Sequence, residues 1–423
     1  MSPTRLVRLG IRTAIALASL ATVFGQPSAN GPARAALYAG VGGELIGFGL
    51  DVERATLTRQ SSISLPGFVQ EAWALDVGGA RASARPPFLY VAWSNGGASY
   101  NGSGVDARGD RHGITAFRIE ADGVLRQQGP PAALRSRPIH LTGDGNGRHL
   151  LVAYNDPSGV SAHAINADGG IGGEVPQRTS IDAGVYAHQV RVLPSNRAVV
   201  LVTRGNEPTA SSREDPGALK VFRYDAGALS NEISIAPQNG VGYRARHLDF
   251  HPTRPWVFLS LESQNQLQVY RRTDEGVEAT PLFTVSTLSD GGKNLQGQTT
   301  STVHVHPSGR FVYVGNRATP TIGRRNEIAV FRINQATGEP TLVQNADTHG
   351  FTPRTFSLDP SGRVLVVGNQ SSVSVRDGGS TTEIPANLAV FRVGSDGLLT
   401  FVARHEVAAG RKPLWWTGIV ALR

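Results

Sequence analysis

Residues 303–316, VHVHPSGRFVYVGN, and residues 356–369, FSLDPSGRVLVVGN, are the same phrase written twice. Each has a short apolar run, a Pro-Ser-Gly-Arg turn and a second run dense in β-branched residues, which is the pattern of a strand, a tight hairpin and a strand. Looser copies are HLTGDGNGRHLLVAYN (140–155), VRVLPSNRAVVLV (190–202) and HLDFHPTRPWVFL (247–259). Counted from His140, Gln189, His247, Thr302 and Thr355, the copies are spaced by 49, 58, 55 and 53 residues. A third strand follows in each (219–224, 267–270, 328–333, 388–393), ends in a polar turn such as QATG at 335–338, and leads into a fourth short apolar segment. Four strands per roughly 50 residues is the period of a propeller blade and not of a helical solenoid.

Working outward, an earlier copy runs from Glu71 to about Leu125, with FLYV (88–91) and GITAFR (113–118) as its second and third strands. The segment 36–57 holds only the later strands of a unit, and the C-terminal piece from Pro413 holds the missing one, LWWTGI at 414–419. Six complete copies and one shared by the two ends predict an all-β, seven-bladed β-propeller over residues 36–423. Its blades are four-stranded and antiparallel, and the ring is closed by N- and C-terminal strands sharing one blade. Closure of that kind removes free sheet edges. No helix-period apolar segment supports a second domain.

Composition agrees with a turn-rich β chain: 50 glycines and 25 prolines in 423 residues, without a Gly-X-Y period. The absence of cysteine excludes thiol nucleophiles, disulfide scaffolds and Cys-ligated zinc or iron–sulfur centres. The net charge of +8 suggests nucleic acid, but Arg5, Arg8, Arg12 and Arg34 lie in the first 35 residues, which carry no Asp or Glu. Without that segment the charge falls to +4, and no basic tract with interleaved aromatics remains, so no nucleic-acid partner is expected. The same segment reads as a signal peptide over residues 1–35. Three arginines precede a short apolar run (13–25), and Ala33-Arg34-Ala35 offers a cut before Ala36, with Ala29 as a second site. The run is too short for a stable membrane anchor, so the expected destination is the periplasm or the medium.

In a propeller the blades converge only around the central channel, so unlike polar residues at like positions mark a site. At the first strand the copies carry His140, His188, Arg246 with His247, Thr302 with His304, and Arg354. At the end of the second strand they carry Asn155-Asp156, Arg204-Gly205, Leu261-Glu262, Asn316-Arg317 and Asn369-Gln370. Arg246, Arg317 and Arg354 are candidates to converge on one anion, since guanidinium groups meet carboxylate or phosphate with paired donors. His188 and Glu262 are the available proton-transfer groups. His251, His304 and His306 suggest a metal, but they bring no carboxylate ligand, and Asp106, Asp110 and His112 read as a solvated turn, so neither metal nor cofactor is expected. No Gly-x-Ser-x-Gly elbow, P-loop or dinucleotide fingerprint is present.

The phrases RHLDFHPTRPWVFLSLESQNQLQVY (246–270), TVHVHPSGRFVYVGNR (302–317) and PRTFSLDPSGRVLVVGNQ (353–370) resemble the seven-bladed propeller lactonase family, of the 6-phosphogluconolactonase and carboxy-cis,cis-muconate cyclase type. The resemblance implies an active site of a histidine, two arginines and a glutamate, falling on His188, Arg246, Arg317 and Glu262. Arg354 and Gln370 match the arginine and glutamine of the last full blade, and His140 and His247 join them as substrate-binding candidates. Arg204, Leu261 and Thr302 depart from the family's usual residues. The expected activity is hydrolysis of a small anionic lactone, with Glu262 or His188 activating water and Arg246 and Arg317 holding the oxyanion. Two alternatives are a non-catalytic envelope propeller that binds a glycan, sugar acid or protein, and a lactonizing cycloisomerase acting on muconate-like diacids.

Overall fold

The computed structural model describes residues 34–75, 87–96, 109–289, 297–318, 325–377, 380–407 and 412–422. The expected signal segment up to residue 33 and Asp106 lie outside them. Among the described residues the chain forms seven antiparallel blade sheets and one two-stranded hairpin, Val373–Asp377 with Ser380–Ile384, inserted between the second and third strands of blade 6. Blade 1 carries a short fifth strand, Ala132–Ala133, paired with its third. The innermost strands of blades 1 to 6 are Phe68–Leu75, Pro138–Gly143, Ala187–Val192, Ala245–Phe250, Gln298–Val305 and Pro353–Leu358. Blade 7 is the shared one. Its innermost strand is the C-terminal Leu414–Ala421, paired with Arg34–Val41 so that Leu37 faces Ile419 and Tyr38 faces Gly418. The seven-bladed expectation holds, although pairing begins at Ala35, just ahead of the expected boundary.

The second strands are the core of the ring. In blade 3, Val199 and Leu201 pack toward blade 2 while Val200 and Val202 pack toward blade 4, because successive side chains leave opposite faces of a strand. The same alternation produces seven apolar clusters, each spanning two neighbouring blades, including those joining blade 7 to blades 6 and 1. A tyrosine on a second strand reaches the turn of the next blade three times: Tyr38 donates to Gly123 O (2.7 Å), Tyr90 to Gly169 O (2.9 Å) and Tyr313 to Gly397 O (2.9 Å).

The turn after the innermost strand needs a side-chain acceptor for its backbone N–H groups. Asp359 accepts from Arg363 and Val364 (both 2.7 Å), and Asp144 from Arg148 (2.7 Å). His251 fills the same role through Nδ1, accepting from Arg254 (2.9 Å), and its Nε2 donates to Gly309 O in the next blade (2.9 Å). His306 repeats this on Ser308 and Gly362. The glycines are required there: Gly309 (φ +71°) and Gly362 (φ +75°) are left-handed, and a Cβ would fall 2.4 Å and 2.3 Å from those imidazoles. His251 and His306 thus join blades, and His304, the other histidine of the group, lies apart from them in the channel.

Candidate functional site

Each complete blade carries an irregularity in the pairing of its innermost strand. The register skips Gln70, Ile139, His188, Arg246 and Arg354 in blades 1, 2, 3, 4 and 6, and shifts across Ser301 and Thr302 in blade 5. A bulged residue leaves the hydrogen-bond ladder and its side chain is re-aimed. Repeated around the ring, the device turns one side chain per blade into the channel. There the skipped residues line a cavity of about 260 Å³ together with His140, His247, Glu71 and Trp415. That volume lies just below the roughly 300–1,000 Å³ usual for small-ligand sites.

Four imidazoles line this cavity, and those of His140, His188 and His247 meet in it while His304 stands nearby. The His188 and His247 rings are 5.0 Å apart between centroids and those of His140 and His247 5.9 Å; His247 Nδ1 is 2.5 Å from Thr302 Oγ1. Burial, reinforced by Arg246 and Arg354, holds His188 well below the usual histidine range, and burial does the same for His140 and His247, so all three are neutral at pH 7. Nδ1 of His188 has no hydrogen-bond partner among the described residues.

Behind Arg246 stands a charge cluster built from the ends of second strands. Glu262, 6% exposed, pairs with Arg204 (Nε to Oε2, 2.7 Å), with Arg317 Nη2, and with Arg246 (Nε to Oε1, 3.7 Å). Burial pushes its carboxyl up, but Arg204, Arg317, Arg246 and Arg354 outweigh burial and hold it at about 2. Arg204 also lies over the Tyr186 ring at 5.2 Å. Arg354 stacks on Trp415 at 3.6 Å and has no carboxylate within ion-pair distance among the described residues. Burial and the like charges of Arg246, Arg317 and Arg137 press its pKa down. An arginine stays charged, so an unneutralised cation is left facing the cavity.

Of the candidates read from sequence, His140, His188, His247, Arg246 and Arg354 line one cavity, and Glu262 and Arg317 adjoin it through Arg246. Gln370 does not line it; its backbone bridges Thr352 and Leu414. Two residues of the site escaped the sequence reading. Arg204, placed at the second-strand register and noted as a departure but given no role, stands in blade 3 where blades 4 and 5 carry Glu262 and Arg317, and that register was its available signal. Glu71 begins the least regular copy and belongs to no motif.

The family description "Lactonase, 7-bladed beta-propeller" matches residues 74–377. The chain belongs to this family. The expectation of a lactonase stands with that membership. The 6-phosphogluconolactonase of Pectobacterium carotovorum subsp. carotovorum is 25% identical over 307 residues, which is 71% of this lactonase and 80% of that protein. The 6-phosphogluconolactonase of Bacillus subtilis is 26% identical over 293 residues, 66% of this chain and 78% of its own. The periplasmic gluconolactonase of Pseudomonas aeruginosa shares the fold, with a TM-score of 0.64 at 20% identity over 92% of this chain and 100% of that one.

Proposed function

We propose that this lactonase hydrolyses the ring of an anionic sugar-acid lactone, at the channel end where Arg246 and Arg354 face the neutral imidazoles. The observation that carries the reading is Arg354: a cation set in the channel wall against an indole, opposite other cations and without a carboxylate of its own. A half-buried charge facing a cavity calls for a partner, and a phosphate or carboxylate on the substrate supplies one. His188 takes the proton from the attacking water, since its imidazole is neutral and its Nδ1 is uncommitted. Arg246 stabilises the oxyanion formed at the lactone carbonyl. Glu262, at about 2 and surrounded by guanidinium groups, is too weak a base for that role and instead positions Arg246, Arg317 and Arg204. The names of the Pectobacterium and Bacillus relatives support the substrate class.

The test is a pH-stat screen of phosphorylated and unphosphorylated aldonolactones and of acyl lactones. Acid release that saturates with an anionic aldonolactone is expected. Saturable binding without turnover would point to the non-catalytic propeller, and lactone formation from a muconate-type diacid to the cycloisomerase.

The basic and apolar character of the first 35 residues further supports export to the periplasm or medium, as does the periplasmic gluconolactonase among the structural neighbours. Cutting after Ala29 leaves the strand Arg34–Val41 whole. Fractionation with N-terminal sequencing is expected to find a mature chain lacking the apolar run, and a cytoplasmic chain starting at Met1 would contradict export.

A further inference from the structure

Glu71 is the one carboxyl among the described residues lining the channel cavity. It projects from the innermost strand of blade 1, and the groups that face it come from five other blades. Arg246 and Arg354 lie within its electrostatic reach from blades 4 and 6, and Trp416 hydrogen-bonds to it from blade 7. His140, His188 and His247 share the cavity from blades 2, 3 and 4. An indole can only donate, so Trp416 fixes one carboxyl oxygen as an acceptor, as does the N–H of Ala72 at 3.3 Å from Oε1.

The enclosure sets the charge. Burial pushes Glu71 up to about 8 against the pull of Ala72, Arg354, Trp416 and Arg246, whereas Glu262, close behind Arg246, is held at about 2. At pH 7 one carboxyl of the region is an acid and the other a carboxylate. Two carboxyls driven apart by their surroundings mark an acid and an ionised partner.

We propose that Glu71 is the general acid that protonates the ring oxygen as the lactone opens. The assignment rests on the lactonase reading above and completes its chemistry. The water oxygen bonds to the carbonyl carbon while its proton passes to His188. The bond from that carbon to the ring oxygen then breaks, and the electron pair left on the ring oxygen takes the proton of Glu71. The imidazolium returns its proton to the Glu71 carboxylate, directly or through water, and the site is reset. An alkoxide is a poor leaving group at neutral pH, so the donor carries a substantial share of the rate, about 10²–10⁴-fold for positioned acid catalysis.

The experiment compares wild type with Glu71→Gln, which keeps the acceptor and the shape but has no acidic proton. Two substrates are used, an aldonolactone and a thiolactone whose thiolate leaves without protonation. For the aldonolactone, kcat is expected to fall about 10²-fold or more, and the decline in wild-type rate as pH rises through about 8 should vanish. For the thiolactone the loss should shrink to a few-fold. Infrared difference spectra near pH 7 should show the carbonyl stretch of a neutral carboxylic acid in the wild type that is missing from the variant. Should Glu71→Gln fail to fold, Glu71→Asp carries the same comparison, with a lowered rate and the alkaline limb retained. Equal rates and equal pH profiles for wild type and Glu71→Gln overturn the assignment while leaving the lactonase reading intact. A wild type that opens no lactone overturns the lactonase reading, and the proton donor with it.

Discussion

Blade 4 contributes two carboxylates near the channel, Glu262 and Asp249, and they are held in contrasting ways. Asp249 meets one guanidinium, Arg191 of blade 3, at 3.1 Å, and accepts the N–H groups of Phe250 and Val305 at 2.9 Å each. Arg191, which borders the channel cavity, is in turn held at 5.2 Å from the Trp73 and Phe250 rings and donates to Leu248 O, and His304 lies 3.7 Å from Asp249. Charge and hydrogen bonds close within this group, which fastens blades 3, 4 and 5. Glu262 instead serves Arg204, Arg246 and Arg317, Arg204 has the half-exposed Glu207 as a second partner at 3.6 Å, and Arg354 beyond them has no carboxylate within ion-pair distance among the described residues. A balanced pair is a joint, whereas a cluster whose guanidinium groups outnumber its carboxylates is a site short of an anion.

Substitutions on the two sides should separate activity from stability. The largest effect is expected for Arg246→Gln, which should lower kcat/KM for an anionic lactone by about 10²–10³-fold, the range for loss of one oxyanion donor. Asp249→Asn should leave kcat/KM within a few-fold and instead destabilise the fold by about 1–3 kcal/mol, because the half-buried Arg191 loses its carboxylate partner. Steady-state kinetics and urea unfolding of both variants check the contrast, and a matching loss of activity in Asp249→Asn would dissolve it. A smaller effect is expected for Arg204→Met, since Glu262 keeps Arg317 and Arg246. Stability should fall by about 1–2 kcal/mol, with activity lowered about tenfold or less.

The pH dependence of stability has two signs in this molecule. Glu262 and Asp249, both at about 2, stabilise the fold above the ordinary carboxylate range, and that contribution is lost as pH falls through roughly 4 toward 2. His140, His188 and His247 add to the acid loss from about pH 6.5 downward, because the unfolded chain binds protons that the buried imidazoles refuse. Glu71 acts in the opposite direction. Its folded carboxyl keeps a proton that the unfolded one gives up, so stability declines as pH rises from about 4.5 to about 8. Glu71→Gln should therefore be more stable than wild type at pH 8, by on the order of 4 kcal/mol, and thermal melts across pH would show it.

The architecture was legible because the physics that builds it is local and repeated. A Pro-Ser-Gly turn and a β-branched second strand recur wherever a blade must pack on two neighbours, and the incomplete end pieces announced the shared blade. The site was legible only where the register carries over from blade to blade. His188, Arg246, Glu262, Arg317 and Arg354 occupy matching positions, and the ring brings them together. Arg204 occupies such a position too, yet its role appears only once Glu262 is seen across the gap between blades. Glu71 could not be read, because the surroundings that set its charge (Trp416, Arg354, Arg246) lie far along the chain and share no motif with it. The bulges that aim the channel residues leave no mark in the local sequence, since they depend on how two strands pair.

The surplus of cationic charge at the channel end is tested most directly by the ratio of kcat/KM for a phosphorylated aldonolactone to that for its uncharged counterpart, measured for wild type and for Arg354→Met. Trp415 can stack on a methionine side chain, so the substitution chiefly removes charge. The ratio should favour the charged lactone in wild type and fall by about 10–10²-fold in the variant, the equivalent of one charged hydrogen bond. An unchanged ratio in a folded Arg354→Met variant would contradict the account.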